Sequence, residues 1–149
     1  MLLHIDPVLT PQLLFHLADM GHGDSVAVVD ANFTSSALAG DRPVIRLPGL
    51  SLLRVCQAVL SVLPLDASVK APTSYMQVSD TPNGHYDAVQ QEVVDELLAR
   101  GNTLEHITPV ERFAFYERVR ACRVIVQSGD LRAYGNFIFS KGVILGPLP

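Results

Sequence analysis

The sequence predicts a single α/β domain over residues 1–149, with a mixed, mostly parallel sheet flanked by helices. Three observations carry that expectation. Apolar runs of strand length alternate with segments of helical periodicity along the whole chain. The run Val26-Ala27-Val28-Val29 has no polar side chain between Ser25 and Asp30, as a strand covered on both faces requires. Glycine and proline punctuate the junctions, and there is no internal repeat, low-complexity segment or interior linker.

The elements follow in order. Thr10-Pro11 opens a first helix, because threonine caps free amides and proline at the first helical position loses no hydrogen bond. Leu13, Leu14, Leu17, Ala18 and Met20 form its apolar stripe, and Gly21 is expected to close it in a left-handed conformation. Val26 to Val29 is the first strand. Asp41-Arg42-Pro43 leads into a second, Val44 to Leu47, which Pro48-Gly49 ends. A helix from about Ser51 to Leu63 is apolar nearly all round and therefore buried, and Pro64 stops it. Ser74 to Val78 reads as a strand, Asp80 to Gly84 as a turn, and Tyr86 to Arg100 as a helix with Val89, Val93 and Leu97 at four-residue spacing, ended by Gly101. Thr108-Pro109-Val110-Glu111 has the spacing of a capping box and predicts a helix from Pro109 to about Arg120, with Arg112 and Tyr116 one turn apart. Val124-Ile125-Val126 and Asn136 to Ser140 are the last strands, followed by an apolar tail from Gly142 to Pro149.

Composition narrows the function. Charged residues make up 17% of the chain and hydrophobic ones 48%, too few charges to clothe a monomer, so association through an apolar surface is expected. The net charge of -4 has no basic cluster behind it, which argues against nucleic acid and anionic membranes as partners. No apolar stretch approaches the roughly 20 residues of a membrane span. The segment from Met1 to Pro7 lacks Lys and Arg and is interrupted by Asp6, unlike a secretory signal, so a cytoplasmic location is expected. Cys56 and Cys122, far apart among apolar neighbours, read as buried thiols. His4, His16, His85 and His106 are dispersed without metal-ligand spacing.

Candidate chemistry begins at His22, between Gly21 and Gly23. Glycines admit a ligand close to the backbone and imidazole exchanges protons near neutral pH, although a loop histidine bonded to its own turn has the same sequence. Asp30, at the carboxyl end of a predicted strand, is either a ligand carboxylate or the start of an Asx turn. A straight strand between them puts the two about 17 Å apart, so either the flanking turns fold back or another subunit completes the site. Arg112 and Tyr116 offer a cation and a phenol, or else solvated surface and a core-edge aromatic. Tyr134-Gly135-Asn136 offers a hydroxyl, an open backbone and an amide within an otherwise ordinary turn. The chain contains no GxSxG, P-loop, dinucleotide fingerprint, HExxH or CxxC. A phosphate-binding role for Gly21 to Asp24 is disfavoured because that loop follows a helix and precedes a strand.

Together these residues give a resemblance. Ile5-Asp6-Pro7 with Leu9-Thr10-Pro11, Met20-Gly21-His22-Gly23-Asp24, Asp30-Ala31-Asn32-Phe33, Arg112 to Arg118, and Tyr134-Gly135-Asn136 with Lys141-Gly142-Val143 resemble, in order, the L-fucose mutarotase and D-ribose pyranase family of sugar-anomer isomerases, closer to its fucose branch. The segment from about Asp66 to Glu105 matches only loosely. The resemblance implies an isomerase in which His22 is the general acid, Asp30 and Arg112 bind sugar, and Tyr134, Gly135 and Asn136 contribute contacts. Tyr116 joins the binding set, Asp30 is expected to orient or stabilise the His22 acid as a catalytic residue, and Tyr134 and Asn136 hold hydroxyls or help the second proton transfer. It further implies no cofactor, a monosaccharide substrate, and a decamer of two stacked pentameric rings with sites at subunit boundaries. Thr34-Ser35 departs from the proline the family carries after Phe33, and the tail from Leu145 runs past the usual end. The rival function is a catalytically silent sugar-binding or transport-accessory oligomer.

Overall fold

The computed structural model describes residues 2–146, so Met1 and the end of the tail, Pro147 to Pro149, lie outside it. Six strands form one sheet: β1 (Ser25–Val29), β2 (Val44–Leu47), β3 (Thr73–Met76), β4 (Ile107–Val110), β5 (Val124–Ser128) and β6 (Phe137–Ser140). Their order is β2-β5-β1-β6-β3-β4. β1 and β2 pair parallel to β5, and β3 parallel to β4, while β6 runs antiparallel to both β1 and β3. The sheet is therefore mixed and mostly parallel: the carboxyl ends of five strands share one edge with the start of β6.

Helices cover both faces. On one lie α1 (Pro11–Asp19), α3 (Leu52–Leu60) and α4 (Ala88–Ala99), packed on Val26, Val28, Val124, Val126 and Phe137. On the other, α2 (Ser35–Ala39) and α5 (Arg112–Ala121) cover Ala27, Val29, Ile125 and Ile138. Alternate residues of β1 thus enter different cores, which is why that strand carries no polar side chain between its ends. Cys56 and Cys122 are buried and unpaired as expected, and burial pushes the Cys122 thiol up to about 12. No helix among the described residues is long and apolar enough to cross a membrane.

Three local readings need correction. The segment Ile107–Val110 is strand β4, and α5 begins at Arg112, capped by Glu111, whose Oε2 accepts from the amides of Phe113 (2.9 Å) and Ala114 (3.2 Å). Burial of Ile107 and Val110 along a ladder with β3 outweighs the local capping signal. Pro109 is tolerated because β4 is an edge strand, where a missing N–H faces no neighbour. Gly21 does not close α1: the cap is Met20 in an extended conformation, and the left-handed glycine is Gly23, at φ +83°. The five-residue α2 has no counterpart in the sequence reading, being too short to show a helical period.

Candidate active site

The carboxyl edge of the sheet holds a cavity of about 500 Å³. Asp30, Asn32, Phe33, Thr34, Met76, Arg112, Tyr116, Ala133, Tyr134 and Asn136 line it. Each follows from its element. Asp30 ends β1, Asn136 immediately precedes β6, Met76 ends β3, and Arg112 and Tyr116 occupy the first turns of α5.

Asp30 is 4% exposed and tied down on three sides. Its Oδ1 accepts from the Asn32 amide at 2.9 Å and its Oδ2 from Asn136 Nδ2 at 3.0 Å, while its own amide donates to Asn136 Oδ1 at 3.2 Å. Burial raises the Asp30 carboxyl above the usual carboxylate range, against the pull of the bonds from Asn32 and Asn136. The following turn is held by Gln127, whose Nε2 lies 3.3, 3.0 and 3.1 Å from the carbonyls of Asp30, Ala31 and Phe33. The carboxylate is thus fixed before any ligand arrives, with lone pairs left for hydroxyl donors.

Across the cavity, Arg112 Nε donates to Tyr116 Oη at 2.8 Å, and its guanidinium stands 5.5 Å from the centre of that ring. Tyr116 packs edge-on against Phe33 at 5.6 Å, so the phenol is positioned from both sides. Tyr134 takes the left-handed conformation at φ 63°, and its hydroxyl donates to Ser79 Oγ at 3.2 Å. Gly135 lies behind the wall rather than in it: a Cβ there would come within 3.2 to 3.4 Å of Leu52, Val89 and Asp30. Thr34, at the departure from the family pattern, is on the wall, while Ser35 is buried with its hydroxyl unpartnered.

His22 is elsewhere. It precedes β1, at the opposite edge of the sheet, and does not line this cavity. The turns do not fold back, so within one chain the carboxylate at His22 is that of Asp66 and Asp30 does not orient the imidazole. Its Nε2 lies 3.1 Å from Asp66 Oδ1 and 3.4 Å from Ser68 Oγ, and Ser68 in turn donates its hydroxyl (2.6 Å) and amide (2.9 Å) to that same oxygen. The two bonds from Ser68, then that from His22, hold the Asp66 carboxyl below the usual range. The imidazole is half exposed while Asp66 is buried. Sequence reasoning missed Asp66 and Ser68, which lie in the loosely patterned segment after Pro64. An Asp-x-Ser turn is common, and only the fold shows that it faces a histidine 44 residues away. Gln127, which follows the apolar run Val124-Ile125-Val126 of β5, carries no local signal of the carbonyls it holds.

One chain therefore carries two polar clusters, a carboxylate–amide–guanidinium cavity at the carboxyl edge and a half-exposed histidine–carboxylate pair at the amino edge. The sequence pattern of the RbsD / FucU transport protein family matches residues 3–144. The chain belongs to this family. The fucose mutarotase of Mus musculus is 40% identical over 147 residues, 96% of this chain and 95% of that protein. The fucose mutarotase of Homo sapiens is 38% identical over 97% and 96% of the two chains. The crystal structure of the fucose mutarotase in complex with L-fucose from Streptococcus pneumoniae superposes with a TM-score of 0.88 at 31% identity, covering 97% of this chain and 100% of that one.

Proposed function

We propose that this protein is a mutarotase that interconverts the α and β anomers of L-fucose or a related aldose. The observation that carries the reading is the cavity at the carboxyl edge, where a fixed carboxylate, an amide, a guanidinium and two phenols converge in a chain 40% identical to a fucose mutarotase. Such a set suits a polyhydroxylated ligand: carboxylate and amide oxygens accept hydroxyl protons, and Arg112 and Asn136 Nδ2 donate.

Anomer exchange requires removing the proton from the anomeric hydroxyl and protonating the ring oxygen. The hemiacetal then opens to an aldehyde, rotates and recloses on the other face. His22 is the general acid in this proposal. Asp66, at its Nε2, fixes the orientation of the ring, which leaves Nδ1 to deliver the proton. Asp30, Arg112, Tyr116 and Asn136 hold sugar hydroxyls, and Tyr134 binds or assists the second proton transfer. No cofactor takes part. Because His22 and Asp30 sit at opposite ends of β1, the working site joins the amino edge of one subunit to the carboxyl edge of its neighbour. The arrangement we favour is the family's decamer of two pentameric rings, acting on monosaccharide in the cytoplasm.

A second reading has its own support: within one chain the cavity lacks His22, and the family is described as a transport protein family. On that reading the oligomer binds sugar without turning it over. Saturation-transfer NMR on α and β L-fucose at equilibrium separates the two. The mutarotase reading expects wild type to accelerate exchange and His22→Ala to lose roughly 10² to 10⁴ of that acceleration. Wild-type exchange no faster than buffer would leave the silent sugar-binding reading standing, and full exchange in His22→Ala would remove His22 from the mechanism. Repeating the measurement with ribose and galactose ranks the sugars.

A further inference from the structure

Gln90 lies on α4, makes no contact with the cavity and is completely buried, at 0% exposure. A primary amide in that setting has two N–H donors and a carbonyl to satisfy. All three are used, each on the backbone of a different segment. Oε1 accepts from the Asp87 amide at 3.1 Å, closing the capping box of α4. One Nε2 bond goes to the Met76 carbonyl at 2.7 Å and the other to the Tyr134 carbonyl at 2.9 Å. Two carbonyls facing Nε2 and an N–H facing Oε1 fix the amide's orientation.

The two carbonyls are those of cavity residues. Tyr134 holds φ 63°, a left-handed conformation that disfavours residues with a Cβ, and its carbonyl also accepts from the Asn136 amide at 2.8 Å. Met76 in turn donates its amide to the Asn136 carbonyl at 3.0 Å. One side chain thus spans the two segments between which Asn136 is hung, and α4 closes against Gly135 from the same side through Val89. We propose that Gln90 is a positioning residue of the sugar site, locking the Tyr134-Gly135-Asn136 turn so that the Tyr134 phenol and Asn136 amide face the cavity. The inference rests on the monosaccharide reading above.

Because the turn holds sugar hydroxyls in ground state and transition state alike, its loss raises KM, and any accompanying fall in kcat reads the part Tyr134 takes in the second proton transfer. The test measures both parameters for L-fucose exchange in the assembled protein, with the midpoint of thermal unfolding alongside. Gln90→Met keeps the volume and removes all three bonds. Gln90→Glu keeps the acceptor for Asp87 and replaces the donating amide. The control is Val93→Ala, one turn along α4, fully buried and bonded to nothing in the turn. Both Gln90 variants are expected to raise KM about tenfold, as for loss of a buried hydrogen bond. Val93→Ala is expected to lower the midpoint with KM unchanged. An unchanged KM in either folded Gln90 variant, or an equal rise in Val93→Ala, overturns the proposal. If wild type itself exchanges no faster than buffer, the mutarotase reading fails, and Gln90 is judged from a crystal structure of Gln90→Met. Tyr134 leaving the left-handed region supports the positioning role, and an unmoved turn refutes it.

Discussion

Asp130 shows how much of this fold hangs on single side chains that never touch the cavity. Its carboxylate accepts from the Leu52 amide at the start of α3 (3.1 Å) and from Arg132 Nε (2.9 Å) and Nη2 (2.8 Å), while Arg132 reaches on to Glu92 of α4 at 2.6 Å. Arg132 foremost lowers the carboxyl from an ordinary 3.8 to about 2. A carboxyl depressed on folding favours the native state while ionised, so its contribution is complete above the unfolded value and fades as pH falls from about 4 through about 2. Asp130→Asn should therefore cost about 2 kcal/mol at pH 7, with the gap to wild type closing by pH 2; urea unfolding at fixed protein concentration measures both. Asn136 is the complementary case inside the site. Asn136→Ala removes both its bonds to Asp30, leaves a buried carboxylate short of a donor, and should weaken L-fucose binding at least tenfold by titration calorimetry.

Among the elements, the connections at the carboxyl edge are the least tolerant. Gly129, just after β5, lies so close to the β2–α3 connection that an added Cβ would stand 1.9 Å from the Pro48 carbonyl oxygen, whereas Gly49 next door has nothing within 4 Å. Gly129→Ala should lose more than about 3 kcal/mol or fail to assemble, because backbone rather than a flexible side chain must yield. Gly49→Ala should stay within about 0.5 kcal/mol of wild type, and thermal melts of the pair check the contrast. The β4–α5 boundary shows the limit of local signals. Thr108-Pro109-Val110-Glu111 has every feature of a helix start, yet partners 34 residues earlier in β3 claim it for the sheet. Glu111, the fourth residue of that motif, still caps the helix, so the motif was displaced rather than meaningless.

For the whole molecule, the question is whether clusters at opposite edges of the sheet become one site. If His22 of one subunit serves the Asp30 cavity of the next, two inactive variants can repair each other. Co-refolding His22→Ala with Asp30→Ala in equal amounts should restore about a quarter of wild-type exchange, since random assembly pairs an intact histidine edge with an intact aspartate edge in one contact of four. Each variant alone stays inactive. No recovery in a mixed oligomer whose composition is verified by mass would show that the clusters do not cooperate. Solution mass also tests the decamer, and a fully active monomer would contradict the shared site.

The sequence alone determined the alternation of strands and helices and the doubly buried β1, because hydrophobic period and turn chemistry are local properties that a few neighbouring residues express; it offered Asp30, Arg112, Tyr116, Tyr134 and Asn136, which line one cavity, as candidates through the family resemblance rather than through any local period. It also exposed the distance problem, since strand rise fixes the span from His22 to Asp30 whatever the rest of the chain does. Tertiary structure decided what depends on partners remote in the chain. It brought Asp66 and Ser68 to His22, made β4 a strand, and turned Gln90 and Gln127 from unremarkable polar positions into buried clamps on the backbone of the site. It also left His22 outside the cavity, because the sheet that carries both groups is too stiff to bend one end of β1 back to the other.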